Sequence, residues 1–128
     1  MSATGRIREY IQIDGQRCWT LFDSGARNTY VIPKVAALLT TTKLPKPFRS
    51  ALGGNIKKAT KGAGLNAEIE GRKLFTNAMV IDDIGKGEDG KPIEVLFGAL
   101  AMQQWGIRLV PEEERLDLSH YPKEFVEF

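Results

Sequence analysis

Alternating apolar and polar residues predict a β-hairpin at the start of the chain. Residues 7–13 alternate aliphatic and polar side chains with a period of two, which is typical of a strand with one buried face. Asp14 and Gly15 supply a two-residue hairpin turn, and residues 18–22 form the predicted return strand. This strand runs into Asp23, so the pattern places one carboxylate on a tight turn just beyond a hairpin.

The residues after this turn predict a third strand and a short helix. Residues 28–32 have a β-like composition. Pro33 suits the first turn of a helix, because an N–H there has no acceptor within the helix and proline loses nothing by lacking one. The Pro- and Thr-containing stretch 40–47 is predicted to be a connection.

The second half repeats this plan. Predicted strands, in order, cover residues 67–71, 73–82, 94–97, 107–110 and 115–118, with a Gly-rich loop at 85–92. A helix is predicted over 99–105 and ends at Gly106, a good residue for a left-handed C-terminal cap. The chain is therefore expected to be mainly β, and residues 1–128 are expected to form a single domain.

The composition of the chain excludes several classes of protein. The chain has 128 residues, 42% hydrophobic and 27% charged, with a net charge of +2, which is ordinary for one soluble globular domain. Its one cysteine, Cys18, excludes an internal disulfide and is expected to be a buried thiol. With a single histidine besides, no metal and no cofactor are expected. No apolar run spans a bilayer and none at the N-terminus resembles a signal peptide, so no membrane partner and a cytoplasmic location are expected.

A basic stretch between residues 43 and 61 contains no acid. It is expected to be a solvated face, with attraction for an acidic peptide or for nucleic acid as the alternative. The small net charge and the few aromatic residues there argue against a dedicated nucleic-acid binder.

Three short motifs share the order and spacing of one family. They are Leu-Phe-Asp-Ser-Gly-Ala at 21–26, Leu-Gly-Gly-Asn at 52–55 and Leu-Phe-Gly-Ala at 96–99, the last followed by the predicted helix. An Asp-Ser-Gly turn alone is common, because these residues favour turns. Together the motifs resemble the retropepsin-like aspartic peptidases over nearly the whole chain. The resemblance implies a closed acid-protease barrel with a short C-terminal helix that is active as a homodimer.

The resemblance also implies roles for the first motif. Asp23 would be the catalytic carboxylate, the Ser24 hydroxyl would tie two active-site loops together, and Gly25 would let the backbone approach the substrate. Ala26 would leave room for a peptide backbone, and Arg27 would form part of a side-chain pocket.

The second motif would form the flap. Leu52, Gly53, Gly54 and Asn55 would close over an extended peptide or protein substrate and donate and accept backbone hydrogen bonds. The alternative is an ordinary mobile hairpin, since glycines at a tip indicate only unusual dihedral angles.

The chemistry needs two carboxylates that share one proton, one acting as base on a water and the other as acid toward the carbonyl. The second half offers Phe97, Gly98 and Ala99 without an acid, so the resemblance implies one Asp23 from each protomer of a homodimer. Leu100 stands where many relatives carry Asp or Asn, which is expected to loosen the catalytic loop. A catalytically inactive dimerisation or peptide-binding module is therefore the alternative function, and an unrelated β-barrel binding domain is a third.

Overall fold

The N-terminal hairpin forms as predicted in the computed structural model, which describes residues 5–123. Strand β1 (Arg6–Ile13) pairs antiparallel with β2 (Gln16–Asp23). Asp14 and Gly15 have φ values of +51° and +76°, as expected for the two central residues of a type I′ turn.

Most of the remaining chain joins the same sheet. Its further strands are β3 (Tyr30–Val31), β4 (Thr40–Leu52), β5 (Asn55–Ile69), β6 (Arg72–Val80) and β7 (Val95–Phe97). The strand order is β1-β2-β7-β3-β6-β5-β4, and one more pair, Gln12 with Glu68, joins β1 to β5. Strands β2 and β7 run parallel, so the two apolar strands of the repeated plan end side by side. The mainly β prediction is confirmed.

The prediction of a connection at residues 40–47 is wrong, because this stretch belongs to β4. Pro45 and Pro47 lie where the β4–β5 register shifts, between Lys43 and Phe48. Strand β4 is at the edge of the sheet, and a proline that lacks an N–H is tolerated in an edge strand or at a bulge.

The helices are short, and both begin close to where the sequence predicts. Helix α1 covers Pro33–Ala36 and α2 covers Ala99–Gln104. Gly106 has a φ of +67°, which confirms the predicted left-handed residue after α2. A separate two-stranded sheet follows, formed by β8 (Arg108–Val110) and β9 (Arg115–Asp117) around a 3₁₀ turn.

Inward-facing side chains of the sheet and α2 form the main core, and Cys18 lies in it, as predicted. Burial raises the pKa of the Cys18 thiol to about 11, so the group is a neutral thiol at physiological pH. A second, smaller cluster contains Ala26, Tyr30, Ala59, Ile81 and Leu96. Because Ala26 follows the Asp-Ser-Gly turn, this second cluster supports the loop that carries Asp23.

Candidate active site

Asp23 is the last residue of β2, and its side chain is held by the turn that follows. Its Oδ1 accepts a hydrogen bond from the backbone N–H of Gly25 at 2.8 Å, and the Ala26 N–H donates to the Asp23 carbonyl at 3.2 Å. The residue is only 9% exposed. The sequence therefore forms a tight turn that fixes one largely buried carboxylate at the end of β2, a strand with a neighbour on each side.

Arg6 is the cationic neighbour of this carboxylate. Its Nε lies 3.4 Å from Oδ2 of Asp23. This contact was not predicted, although the sequence contains the information for it. A two-residue turn at Asp14 and Gly15 pairs β1 with β2 so that Arg6 lies directly opposite Asp23.

Ser24 is exposed and contacts Gly5, the residue before β1. Its backbone N–H donates to the Gly5 carbonyl at 2.8 Å, and its Oγ donates to the same oxygen at 3.3 Å. Within one chain, the Ser24 hydroxyl thus helps to hold Gly5, the residue before β1.

Three consecutive N–H groups at the start of α2 hold the loop after the turn. The Ala99 N–H donates to the Ala26 carbonyl at 2.7 Å, and the Leu100 N–H donates to the Arg27 carbonyl at 3.1 Å. The Gly98 N–H donates to Oγ1 of Thr29 at 3.1 Å. An α-helix leaves its first N–H groups without intrahelical partners, and the loop supplies those partners here.

These bonds bear on the expectation for Leu100. Its side chain is 47% exposed and gives α2 no side-chain cap. The backbone N–H groups nevertheless tie the loop to the helix without a polar side chain at this position. Thr29, which the sequence analysis did not single out, provides the one side-chain oxygen in the connection.

Leu52–Asn55 forms a tight hairpin tip between β4 and β5, as predicted. Gly53 and Gly54 have φ values of +57° and +83°, which is why glycine suits both central positions. The Tyr30 hydroxyl donates to Oγ of Ser50 at 2.7 Å and joins this hairpin to β3. Within the described range, residues 5–123, the tip itself has no hydrogen bond or ion pair with the Asp23 turn.

Among the described residues, no three His, Cys, Asp or Glu side chains lie together in a way that could hold a metal ion. Over the same residues, no helix has the length and apolar character needed to cross a membrane.

The comparisons with known proteins identify the fold. No protein-family model and no curated protein matches the sequence. Among solved structures, the chain is similar to the crystal structure of the retroviral protease-like domain of Ddi1 from Leishmania major. The TM-score is 0.63 at 14% identity, and the match covers 91% of this chain and 92% of that one. The fold is retropepsin-like.

Proposed function

We propose that this chain is an aspartic endopeptidase of the retropepsin type, a closed β-barrel that acts as a homodimer. The observation that carries the proposal is the placement of Asp23. It is a largely buried carboxylate, oriented by the Gly25 N–H, on a turn that ends an interior strand of a retropepsin-like fold.

A dimer follows from the chemistry. Hydrolysis of a peptide bond by water needs a base on the water and an acid toward the carbonyl, which two carboxylates sharing one proton can provide. The corresponding strand end of the second half carries Phe97, Gly98 and Ala99 and has no acid. One Asp23 from each protomer would complete the pair. Because neighbouring carboxylates disfavour double ionisation, we expect activity at mildly acidic pH.

The substrate would be an extended peptide or protein segment. The tip at Leu52–Asn55 would act as a flap and offer backbone hydrogen bonds to it. Ser24 would link the two catalytic loops across the dimer axis, Gly25 and Ala26 would leave room for the peptide backbone, and Arg27 would form part of a side-chain pocket.

The proposal is tested by measuring mass in solution across a dilution series and cleavage of a peptide library between pH 4 and 7. Asp23→Asn keeps the shape of the side chain and is expected to abolish cleavage while the dimer persists. Asp14→Asn is the matched control, because it makes the same change in the exposed turn at the far end of β2 and should leave cleavage intact.

The alternative is an inactive retropepsin-fold module for dimerisation or peptide binding. One observation favours it: the Asp23 carboxylate already has a cationic partner, Arg6, within a single chain. A dimer without cleavage at any pH would support this module. A strict monomer that is inactive at every concentration would contradict both the endopeptidase and the dimerisation module, and the function would then have to be sought in binding.

A further inference from the structure

A cavity of about 280 Å³ lies beside the loop that follows Asp23. Arg27 lines it from this loop, Phe75 and Asn77 line it from β6, and Leu100 and Gln104 line it from α2. All of these residues belong to one chain, so the cavity does not require a partner subunit.

The lining is suited to an anion. Arg27 is exposed, and no ion pair or hydrogen bond of its side chain is present among residues 5–123. Within residues 5–123 no carboxylate lines the cavity, whereas Asn77 and Gln104 add amide groups that can donate. A guanidinium presents a planar set of donors that matches a carboxylate in a bidentate arrangement.

The apolar part of the lining favours a carboxylate carried on methylene groups. Phe75 and Leu100 are large hydrophobic side chains that are 59% and 47% exposed. Aliphatic carbons of an acidic side chain can cover these surfaces while its carboxylate meets Arg27.

The position of Arg27 links the cavity to the candidate active site. It follows Asp23 by four residues, which limits the separation of their Cα atoms to about 14 Å. The bond from the Leu100 N–H to the Arg27 carbonyl fixes the backbone there. Since an extended peptide rises roughly 3.3 Å per residue, a side chain within about four residues of the cleaved bond could reach the cavity.

We propose that this cavity binds the side-chain carboxylate of an aspartate or glutamate in the peptide substrate, and that Arg27 is a specificity-determining residue. The inference rests on the proposed function, which supplies the peptide substrate, and it adds that this substrate carries an acidic side chain. It is testable separately, because binding to the cavity needs neither catalysis nor a dimer.

The first experiment measures binding to the full chain carrying Asp23→Asn, by fluorescence anisotropy with labelled peptides that differ only in whether they carry a carboxylate and where. One set carries an internal Glu and an amidated C-terminus, a second carries Gln at that position, and a third carries Gln with a free C-terminal carboxylate. A charge-assisted bidentate contact predicts that the Glu peptide binds roughly ten- to a hundredfold more tightly than the Gln peptide. Tighter binding only of the peptide with the free C-terminus would assign the carboxylate to a chain end and overturn the side-chain proposal.

Variants of Arg27 supply the second test. Arg27→Gln, added to Asp23→Asn, should remove the preference for Glu, and Arg27→Glu should favour a peptide with Lys at the same position. Arg17→Gln is the control, because Arg17 is an exposed arginine near the opposite end of β2 and should leave the preference unchanged. Unfolding midpoints should show that each variant is folded.

The outcomes separate the two proposals. A preference for Glu that persists in Arg27→Gln, or equal binding of Glu and Gln peptides by the parent, would overturn the role of Arg27. If Arg27-dependent binding is found but the protein without substitutions cleaves no peptide, the carboxylate site stands and the endopeptidase proposal fails. If cleavage occurs, Arg27→Gln in the active protein should raise KM for Glu peptides and leave kcat nearly unchanged.

Discussion

Oγ1 of Thr29 and the backbone N–H of Gly98 form a buried hydrogen bond, 3.1 Å long, between residues 69 positions apart. Thr29 belongs to the loop that follows Asp23, and Gly98 is the N-cap of α2. The bond therefore joins the candidate catalytic loop of the first half to the corresponding strand end of the second half. Its loss should affect stability and the candidate site together.

We expect Thr29→Val to lower the free energy of unfolding by about 1–3 kcal/mol. Valine has nearly the same shape as threonine but no hydroxyl, so the buried Gly98 N–H would lose its acceptor. Thr29→Ser keeps the hydroxyl and should lose much less. Urea unfolding of both variants measures the difference. A loss of stability in Thr29→Ser with no loss in Thr29→Val would show that the methyl packing of Thr29 matters and the hydrogen bond does not.

The close approach of the loop backbone requires glycine at position 98. A Cβ at this position would lie 2.2 Å from the Asn28 carbonyl oxygen and 2.9 Å from that of Arg27. Because backbone atoms cannot move aside cheaply, we expect Gly98→Ala to destabilise the protein by about 1–3 kcal/mol and to displace the loop.

Gly64→Ala is the matched control for this substitution. A Cβ there would meet nothing within 4 Å, and the change is expected to alter stability by less than about 0.5 kcal/mol. Thermal unfolding of the two variants tests the expectation. Similar unfolding midpoints for both would contradict the role given to close packing at Gly98.

Local signals were sufficient for much of the fold. The Asp14-Gly15 turn sets the β1–β2 register, and that register alone places Arg6 opposite Asp23. The same class of signal identified the Leu52–Asn55 tip and the left-handed Gly106. These features depend on neighbours in sequence, which is why they could be predicted.

The remaining features depend on residues far apart in the chain. Strand β4 was missed because its two prolines usually interrupt strands, and only its edge position makes them tolerable. The contact of Gly98 with the 27–28 backbone and the acceptor role of Thr29 result from packing between the two halves of the chain. No periodicity or turn signal in either half contains that information.

Glu9 should make stability depend on pH. Burial, a hydrogen bond with Glu70 and repulsion from Glu70 raise the pKa of Glu9 from its ordinary 4.5 to about 7 in the folded protein. The folded state therefore binds this proton more tightly than the unfolded chain. Its contribution to stability is fully present below about pH 4.5 and is lost as the pH rises through about 7.

We expect Glu9→Gln to reduce the fall in unfolding midpoint between pH 5 and pH 8, because a neutral side chain has no proton to lose. Glu112→Gln, in the exposed 3₁₀ turn, is the control and should retain the pH dependence of the parent protein. Thermal unfolding at closely spaced pH values provides the measurement. An unchanged pH profile in Glu9→Gln would assign the dependence to another group.

The β4–β5 hairpin carries like charges in direct opposition. Arg49 lies opposite Lys58, both are exposed, and Lys43 lies opposite Lys61. Like charges directly across an antiparallel pair destabilise it, whereas opposite charges contribute roughly 0.2–1 kcal/mol. We therefore expect Lys58→Glu to raise the free energy of unfolding by about 0.5–1 kcal/mol at low salt, with a smaller gain at high salt because exposed charges are screened.

Two further variants separate this pairwise effect from a general reduction of positive charge. Lys46→Glu makes the same charge change on the same hairpin but lies in the irregular part of β4 without a directly paired residue, so its effect should be smaller. Arg49→Glu combined with Lys58→Glu restores like charges and should lose the gain. If Lys46→Glu stabilises the protein as much as Lys58→Glu, the relevant quantity is the total charge of the hairpin, and the pairing of Arg49 with Lys58 contributes nothing specific.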